Sequence, residues 1–232
     1  AGTIKIFGLD AEGHEKEIKD RIGIIMDGSY FYNDLSMRDM KSIIAPAYSK
    51  WSDADYQSYM DKFDLDPKQK ISTLSSGMRM KYALVLALSH QAELLIMDEP
   101  TSGLDPLSRE EFCDIILQLV REECVSVLFS THITSDLMRI ADDIVYISQG
   151  KIIAACPLKE LLSKYKLAHF SSFADASAVN AIGVKAVKEG YEGLLPRGMQ
   201  ISESIAVTDA TIDNIIVHLE KESEEKKYVK SN

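Results

Sequence analysis

Leu94-Leu95-Ile96-Met97-Asp98-Glu99-Pro100-Thr101-Ser102-Gly103-Leu104-Asp105 is the stretch of sequence that decides the fold of this chain. Its leading apolar residues predict a short buried strand, and two carboxylates follow where that strand ends. Open α/β sheets bind their ligands outside the carboxyl ends of their strands. At such a place Asp98 can hold Mg²⁺ against phosphate oxygens, and Glu99 can take a proton from an attacking water. An acidic turn after a buried strand explains the two carboxylates better when they are considered alone.

The continuation from Pro100 to Asp105 favours the functional interpretation, because the whole run resembles the Walker B strand and D-loop of ABC ATPases. Three other segments resemble motifs of that family. Arg21 to Asp27 aligns with the Q-loop strand, Leu74-Ser75-Ser76-Gly77-Met78 is similar to the signature Leu-Ser-Gly-Gly-Gln, and Ser130-Thr131-His132 matches the H-loop. Because these motifs stand in the family's order and spacing, the chain is identified as a member of the ABC family.

The resemblance implies roles for the residues around the phosphates. Asp98 orders Mg²⁺, Glu99 is the general base, and His132 contacts the γ-phosphate and orients the attacking water. Asp27 stands where the family usually carries Gln and is a second candidate metal ligand, since a carboxylate oxygen suits a hard cation. A solvated turn at Asp27 is the alternative there, and a hydrogen-bonded structural histidine is the alternative for His132.

The signature-like segment is expected to open a helix whose N-terminal amides can bind an anion. By resemblance, Ser75, Ser76 and Gly77 engage ATP held by a second cassette. Ser76 replaces a glycine of the family pattern, and its β-carbon could weaken that contact. An ordinary Ser-capped helix is the alternative for the pentapeptide in isolation. Asp105 is predicted to cap the next helix, with Pro106 in its first turn, and by resemblance to cross the dimer seam.

Composition excludes several classes of protein. The formal net charge of -10 argues against nucleic acid as the main partner, because phosphate contacts need clustered Lys and Arg. No apolar run approaches the roughly 20 residues of a membrane-spanning helix. The three cysteines, Cys113, Cys124 and Cys156, are too few and too far apart to indicate a disulfide framework or a zinc site. A soluble, cytoplasmic protein is therefore expected.

The predicted fold class is α/β, a P-loop NTPase-like ABC ATPase core in which helices flank a mostly parallel sheet. A helical subdomain is expected at about 29–90 and a small C-terminal α+β appendage after the core. The cassette is assigned to 1–165, the appendage to 166–220 and a charge-rich, disordered tail to 221–232. Two finer expectations are a strand from Gly2 to Gly8 and a helix after Asp105 with one buried face: Phe112, Ile115, Ile116, Leu119 and Val120.

The sequence contains no G-x-x-x-x-G-K-[ST] pattern, so the lysine and backbone amides that cradle the phosphates are missing from it. We expect the chain to be a truncated cassette that lacks its N-terminal strands and Walker A, about the first forty residues on the usual length of βα units. A protein that naturally lacks a P-loop is the alternative.

The resemblance implies an ATPase subunit that uses ATP and Mg²⁺ and couples cassette dimerisation to export. Its partners would be transmembrane permease subunits and a second cassette, identical or not, and its place the cytoplasmic face of a bacterial membrane. The subgroup looks like ABC-2-type drug exporters, including YtrB-like and bacitracin-export-like cassettes. Tyr30, Phe31 and Tyr32 lie where such cassettes meet the permease, and core packing accounts for at least one of them.

Two other functions remain open. A catalytically inactive, P-loop-less interaction or regulatory protein would use the helical subdomain to bind a partner. A soluble ABC ATPase that acts on ribosomes or DNA is disfavoured by the acidic charge and by the short insertion between the Q-loop-like strand and the signature.

Overall fold

A computed structural model describes residues 2–26, 31–202 and 205–231. The chain divides into two compact units, Ala1–Ile133 and Thr134–Asn232. This division falls well before residue 165, where the sequence analysis ends the cassette. The reason is that Ile144, Leu158 and Leu161 belong to the hydrophobic core of the second unit, so the hairpin and helix that contain them fold with the C-terminal part.

The first unit is built around a parallel sheet of three strands, in the order β3 (Ile22–Ile25), β4 (Leu94–Asp98) and β5 (Ser126–Ser130). Gly23 and Leu95 are neighbours in the register of β3 and β4, and Leu95 and Val127 in that of β4 and β5. Its elements are β1 Lys5–Ile6, β2 Leu9–Asp10, α1 Glu15–Asp20, β3 Ile22–Ile25, α2 Met37–Ile44, α3 Asp53–Lys62, α4 Ser76–Ser89, β4 Leu94–Asp98, α5 Pro106–Glu122 and β5 Ser126–Ser130, with short 3-10 turns at Ala45–Ala47 and Ile71–Thr73.

The strand expected from Gly2 to Gly8 is shorter than predicted. Only Lys5–Ile6 forms a strand, and it pairs with Leu9–Asp10 in a tight hairpin. Phe7 and Gly8 form the turn with φ values of 54° and 79°. Two consecutive left-handed residues match the twist of a two-residue hairpin, so the chain reverses here instead of extending.

Helices fill the segment between β3 and β4. Ser52 caps α3 by accepting a hydrogen bond from the Asp55 amide at 3.1 Å, as the Ser52-x-x-Asp55 pattern predicts. Helix α4 is buried continuously from Tyr82 to Ser89, and the Tyr82 hydroxyl donates to the Met37 carbonyl at 2.6 Å. This all-round burial makes α4 the central helix of the unit.

The parallel sheet is covered on one face by helices, and its other face carries an exposed apolar row. Gly23 and Leu95 face α4: a β-carbon built on Gly23 would lie 2.6 Å from the β-carbon of Ala87. On the opposite face Ile24, Ile96 and Leu128 are register neighbours across the three strands. The exposed fractions of Ile24 and Leu128 are 54% and 60%.

The predicted core face of α5 needs one correction. Phe112, Ile116 and Leu119 are buried, but Val120 is 37% exposed, and Cys113 is buried instead at 1%. The buried stripe is therefore rotated by part of a turn from the one that the apolar pattern suggests, because Cys113 packs as a small apolar residue.

The second unit contains an antiparallel sheet of four strands and a separate hairpin. The strand order of the sheet is β11 (Ala206–Asp209), β8 (Tyr165–Phe170), β10 (Gly190–Pro196) and β9 (Ile182–Val187), and the hairpin consists of β6 (Asp143–Ser148) and β7 (Lys151–Pro157). Helix α9 packs on one face of the sheet with Leu167 and Leu194, and α8 packs on the other with Ala168 and Leu195. Its elements are α6 Thr134–Ile140, β6 Asp143–Ser148, β7 Lys151–Pro157, α7 Leu158–Lys164, β8 Tyr165–Phe170, α8 Phe173–Ala178, β9 Ile182–Val187, β10 Gly190–Pro196, β11 Ala206–Asp209 and α9 Ile212–Ser231.

Gly183 locks α9 onto this sheet. Its carbonyl lies 2.7 Å from Nδ1 of the fully buried His218, and its amide donates to the Glu222 carboxylate at 3.0 Å. The backbone of Gly183 is left-handed, and a β-carbon there would lie 1.8 Å from the His218 carbonyl oxygen. Only glycine fits at this position.

The tail from Lys221 is helical, not disordered as predicted, because α9 continues to Ser231. Glu and Lys dominate this part of the chain, and both are strong helix formers, so their charge does not prevent a helix that is already nucleated on the sheet. Among the residues that the structure describes, no helix is both long enough and apolar enough to cross a bilayer.

Candidate functional site

The site is organised by the carboxyl ends of β4 and β5. Asp98 is the last residue of β4, it is exposed, and it pairs in register with Ser130 at the end of β5. The Ser130 hydroxyl donates to Oδ1 of Asp98 at 2.5 Å. A charge-assisted bond of this kind fixes the carboxylate at the sheet edge.

Glu99 follows at once in a left-handed backbone conformation, with a φ of 47°. Its amide donates to the Ser130 carbonyl at 3.1 Å, which continues the parallel ladder past the end of β4. Its own carbonyl accepts from the Ser102 amide at 3.0 Å and closes the turn. A non-glycine residue held at positive φ costs free energy, and such residues concentrate at functional sites.

His132 lies beside Glu99. Its Nδ1 is 2.9 Å from Oε2 of Glu99, while the imidazole side chain is 74% exposed and the Glu99 side chain 26%. Oε2 itself is buried. The histidine therefore shields one carboxylate oxygen of Glu99 and presents its opposite ring edge to solvent, where a substrate would approach.

The structure thus brings Asp98, Glu99 and His132 together at one edge of the sheet, as the motif order predicts. Their catalytic roles stay predictions. Sequence reasoning assigned no role to Ser130, although it contacts both Asp98 and the Glu99 backbone. Aligning the ends of two parallel strands would have found it, since the last residues of β4 and β5 are register partners.

The signature-like segment opens α4. Ser75 is its N-cap and accepts from the Met78 amide at 3.2 Å, and Ser76 and Gly77 occupy the first two helical positions. Amides at these positions have no partner within a helix, and the first turn of α4 contains no acidic residue that would repel an anion. Arg79 adds positive charge one turn along. The geometry suits a phosphate, and the engagement of ATP in trans stays a prediction.

Asp105 caps α5, as predicted. Its Oδ1 accepts from the amides of Leu107 at 3.0 Å and Ser108 at 3.1 Å, and its Oδ2 accepts from the Ser108 hydroxyl at 2.6 Å. These hydrogen bonds lower the pKa of Asp105 below its ordinary value, and the bond from the Ser108 hydroxyl has the largest effect. Contact across a dimer seam stays a prediction for Asp105, whose carboxylate is already held by three donors of its own helix.

Of the two predicted metal ligands, Asp98 lies within the described residues and Asp27 lies outside them. Tyr30, one of the aromatic residues expected near a permease, also lies outside them. Within the described ranges, no cluster of three or more His, Cys, Asp or Glu side chains is arranged to hold a metal by itself. Mg²⁺ bound with nucleotide takes one or two protein carboxylates and completes its shell with phosphates and water. The exposed carboxylate of Asp98 fits that kind of ligand set.

Of the neighbouring aromatic residues, Phe31 is core and Tyr32 is surface. Phe31 is 8% exposed and its ring centroid lies 5.3 Å from that of Tyr82, whereas Tyr32 is 64% exposed. Two other histidines, His90 and His218, are buried. Neither belongs to one of the motifs, and we place neither in the site.

Comparison with known proteins places this geometry in a family. Residues 10–135 match the family model described as "AAA domain, putative AbiEii toxin, Type IV TA system". The chain is 32% identical to the bacitracin transport ATP-binding protein BcrA of Bacillus licheniformis over 163 residues, which is 69% of this chain and 53% of that protein. The chain spans about half the length of the curated relatives it matches.

Solved structures agree with the fold. A structure titled as the ATP-binding subunit of an ABC transporter is 25% identical, with a TM-score of 0.60 over 69% of each chain. The dimeric post-hydrolysis state of an ATP-binding cassette bound to ADP and Pi gives a TM-score of 0.59 at 19% identity, over 68% of this chain and 74% of that one, and shows the fold alone. The chain therefore belongs to this AAA-domain family, and its homologues and its α/β fold are those of ABC transporter ATP-binding proteins.

Proposed function

We propose that this chain is the ATP-hydrolysing part of an ABC-type exporter, in which nucleotide-driven pairing of two cassettes moves a transmembrane permease. The observation that carries the proposal is the position of the Glu99 carboxylate. It sits on a strained turn directly after Asp98, with one oxygen 2.9 Å from His132. Residues in such conformations concentrate at functional sites, and here the residue is a carboxylate beside an imidazole.

Each residue of this edge has a distinct task. Mg²⁺ bound beside Asp98 would neutralise charge on the phosphates and polarise them for attack. Ser130 holds the Asp98 carboxylate at the sheet edge. Glu99 accepts the proton of the attacking water, and His132 orients that water and contacts the γ-phosphate through its exposed ring edge.

The second half of the site would come from another cassette. The N-terminus of α4, with the Ser75 hydroxyl and the amides of Ser76 and Gly77, would close on the γ-phosphate held by the partner. Two such closures per dimer make the pairing depend on ATP, so that hydrolysis releases it. The relatives support this arrangement: BcrA is named for bacitracin transport, and the cassette with the same fold is a dimer in the presence of ADP and Pi.

We further propose that the cassette acts at the cytoplasmic face of a bacterial membrane and docks there on permease subunits. Support comes from relatives that are named as transport ATP-binding proteins of bacteria. The exposed Tyr32, next to the helical region, is the candidate contact for a permease segment.

The test is the Glu99→Gln variant of the intact gene product. Loss of the base is expected to lower the ATPase rate by about 10²-fold or more and to preserve an ATP-dependent dimer. The matched control is Glu93→Gln, which removes a carboxylate just before the opposite end of the same strand, where Glu93 bonds Arg21 at 2.7 Å. Its turnover should equal that of the parent protein.

Two results would contradict the proposal. Unchanged turnover in Glu99→Gln removes Glu99 from the role of base. Absence of ATP binding in the intact gene product, together with a reading frame that encodes no Walker A before Ala1, identifies the inactive interaction protein instead. Co-purification with a multi-span membrane protein distinguishes an exporter from a soluble ABC ATPase.

A further inference from the structure

One hydroxyl joins two motifs that the sequence keeps about thirty residues apart. Ser108, in the first turn of α5, donates to Oδ2 of Asp105 at 2.6 Å, and its amide donates to Oδ1 of the same carboxylate at 3.1 Å. Asp105 ends the D-loop-like turn. The side chain of Ser108 is therefore fixed in one orientation by the residue that caps its own helix.

The same side chain presses against the signature-like turn. A β-carbon built on Gly77 would lie 2.9 Å from Oγ of Ser108 and 3.2 Å from its β-carbon. Both distances are shorter than ordinary contacts between nonbonded atoms. No left-handed backbone conformation requires glycine at this position. Glycine at 77 is thus explained by the neighbour that occupies its side-chain space.

We propose that Ser108 is a positioning residue that fixes the signature-like turn against the Asp105 turn, so that the two turns approach a second cassette as one rigid body. This inference rests on the proposed function, because the signature-like turn is the part that would meet ATP. In this role Ser108 takes no part in the chemistry. It acts by holding Gly77 and Asp105 at a set distance from each other.

The variants at 108 separate the two contacts of its side chain. Ser108→Ala removes the hydroxyl and frees Oδ2 of Asp105, but it keeps the β-carbon near Gly77. Ser108→Gly removes both atoms and opens the space beside Gly77. Ser108→Ala is therefore expected to loosen the Asp105 turn, and Ser108→Gly is expected to loosen the signature-like turn as well.

The first arm of the test is a double-mutant cycle of stability in the full chain. In the wild-type background, Gly77→Ala should lower the urea midpoint, because the new methyl group meets the Ser108 side chain. In the Ser108→Gly background the same change should raise the midpoint, since Ala is the better helix former. A reversal of sign supports the contact, and equal effects in the two backgrounds overturn the proposal.

The second arm measures the response to ATP in the intact gene product. Ser108→Ala should raise the KM for ATP about two- to tenfold, the range of one lost hydrogen bond, with kcat unchanged. The matched control is Ser36→Ala. Ser36 caps α2 and donates to Asp39 at 2.6 Å, so it forms an equivalent Ser-Asp pair away from the motifs. It should cost stability without changing the KM.

The outcomes are separable. If the parent protein hydrolyses ATP and Ser108→Ala has the parent's KM, the positioning role is refuted while the proposed function stands. If Ser108→Ala and Ser36→Ala raise the KM equally, Ser108 acts only through general stability and the proposal is also refuted. If the parent itself shows no response to ATP, the proposed function fails, and the positioning role fails with it even where the stability cycle shows the contact between Gly77 and Ser108.

Discussion

The substitution Gly23→Ala should disrupt the junction of β3, β4 and α4 that supports the candidate site. The added β-carbon would lie 2.6 Å from the β-carbon of Ala87 and 2.7 Å from Cδ2 of Leu95. Nonbonded carbons prefer about 3.5–4.0 Å, so each contact is about 1 Å too short. Because the two neighbours belong to different elements, relief of one contact does not relieve the other.

The magnitude follows from these contacts. Overpacking a core costs about 1–3 kcal/mol, and two opposed contacts favour the upper end of that range. Replacing glycine by alanine in a strand recovers about 0.5–1 kcal/mol of backbone entropy. The net loss in the free energy of unfolding is therefore about 2 kcal/mol, or about 4–8 °C in the unfolding midpoint for a protein of this size.

Trp51 provides the assay, because it is the one tryptophan of the sequence and lies in the first unit. Its fluorescence during urea unfolding reports that unit. Ala87→Gly should cost less stability in the Gly23→Ala background than in wild type, since it removes the nearer contact in the first case and only weakens the helix in the second. Gly2→Ala, which meets nothing within 4 Å, is the control and should stay within about 0.5 kcal/mol of wild type. A Gly23→Ala protein as stable as that control would refute the reasoning.

Two further predictions concern the site and the second unit. Ser130→Ala, which frees the Asp98 carboxylate, should raise the Mg²⁺ concentration needed for half-maximal ATPase rate about fivefold at constant maximal rate, and an unchanged Mg²⁺ titration would contradict the assigned contact. Burial lowers the pKa of His218, so the native state takes up this proton at a lower pH than the unfolded state does. The free energy of unfolding therefore falls as the pH drops below about 6.5, by at most about 1.4 kcal/mol per pH unit. His218→Asn, which can still donate to the Gly183 carbonyl, should reduce this dependence in circular-dichroism melts between pH 7 and 5, and a remainder is expected from His90, whose pKa burial also lowers. A slope equal to that of wild type would show that His218 contributes nothing to it.

The sequence predicted those features of the fold that depend on residues close together in the chain, such as helix caps and apolar strands. Ser52, Ser75 and Asp105 cap the helices that their spacing indicates, because a short polar side chain before an apolar run satisfies the first amides of a helix. The strand that leads to Asp98 was predicted from its apolar run, and β5 ends at Ser130 beside it. Their parallel pairing then brings the ends of both strands to one edge of the sheet.

Features that depend on tertiary packing were not predictable in the same way. The sequence does not indicate which hydrophobic core the apolar residues of the β6-β7 hairpin join. The structure shows that Ile144 belongs to the core of the second unit. Val120 is exposed and Cys113 is buried because an apolar stripe does not fix the rotation of a helix to within one residue. The length of α9 depends on its attachment to the sheet, which charge composition alone does not reveal.

The candidate site shows the same division. The order of the motifs was sufficient to predict that Asp98, Glu99 and His132 lie together. The left-handed backbone of Glu99 has no signal in the sequence, since glutamate has no preference for that conformation. Ser108 and Ser130 were missed because a serine in a helix or at the end of a strand is usually solvated, and its importance here comes from the carboxylate that it meets.

The apolar row formed by Ile24, Ile96 and Leu128 has a calorimetric consequence. Whatever covers this side of the sheet removes hydrocarbon surface from water, so its association must show a negative change in heat capacity. Such an association weakens on cooling and strengthens on moderate warming. The affinity of any partner that buries this apolar row is therefore expected to depend on temperature.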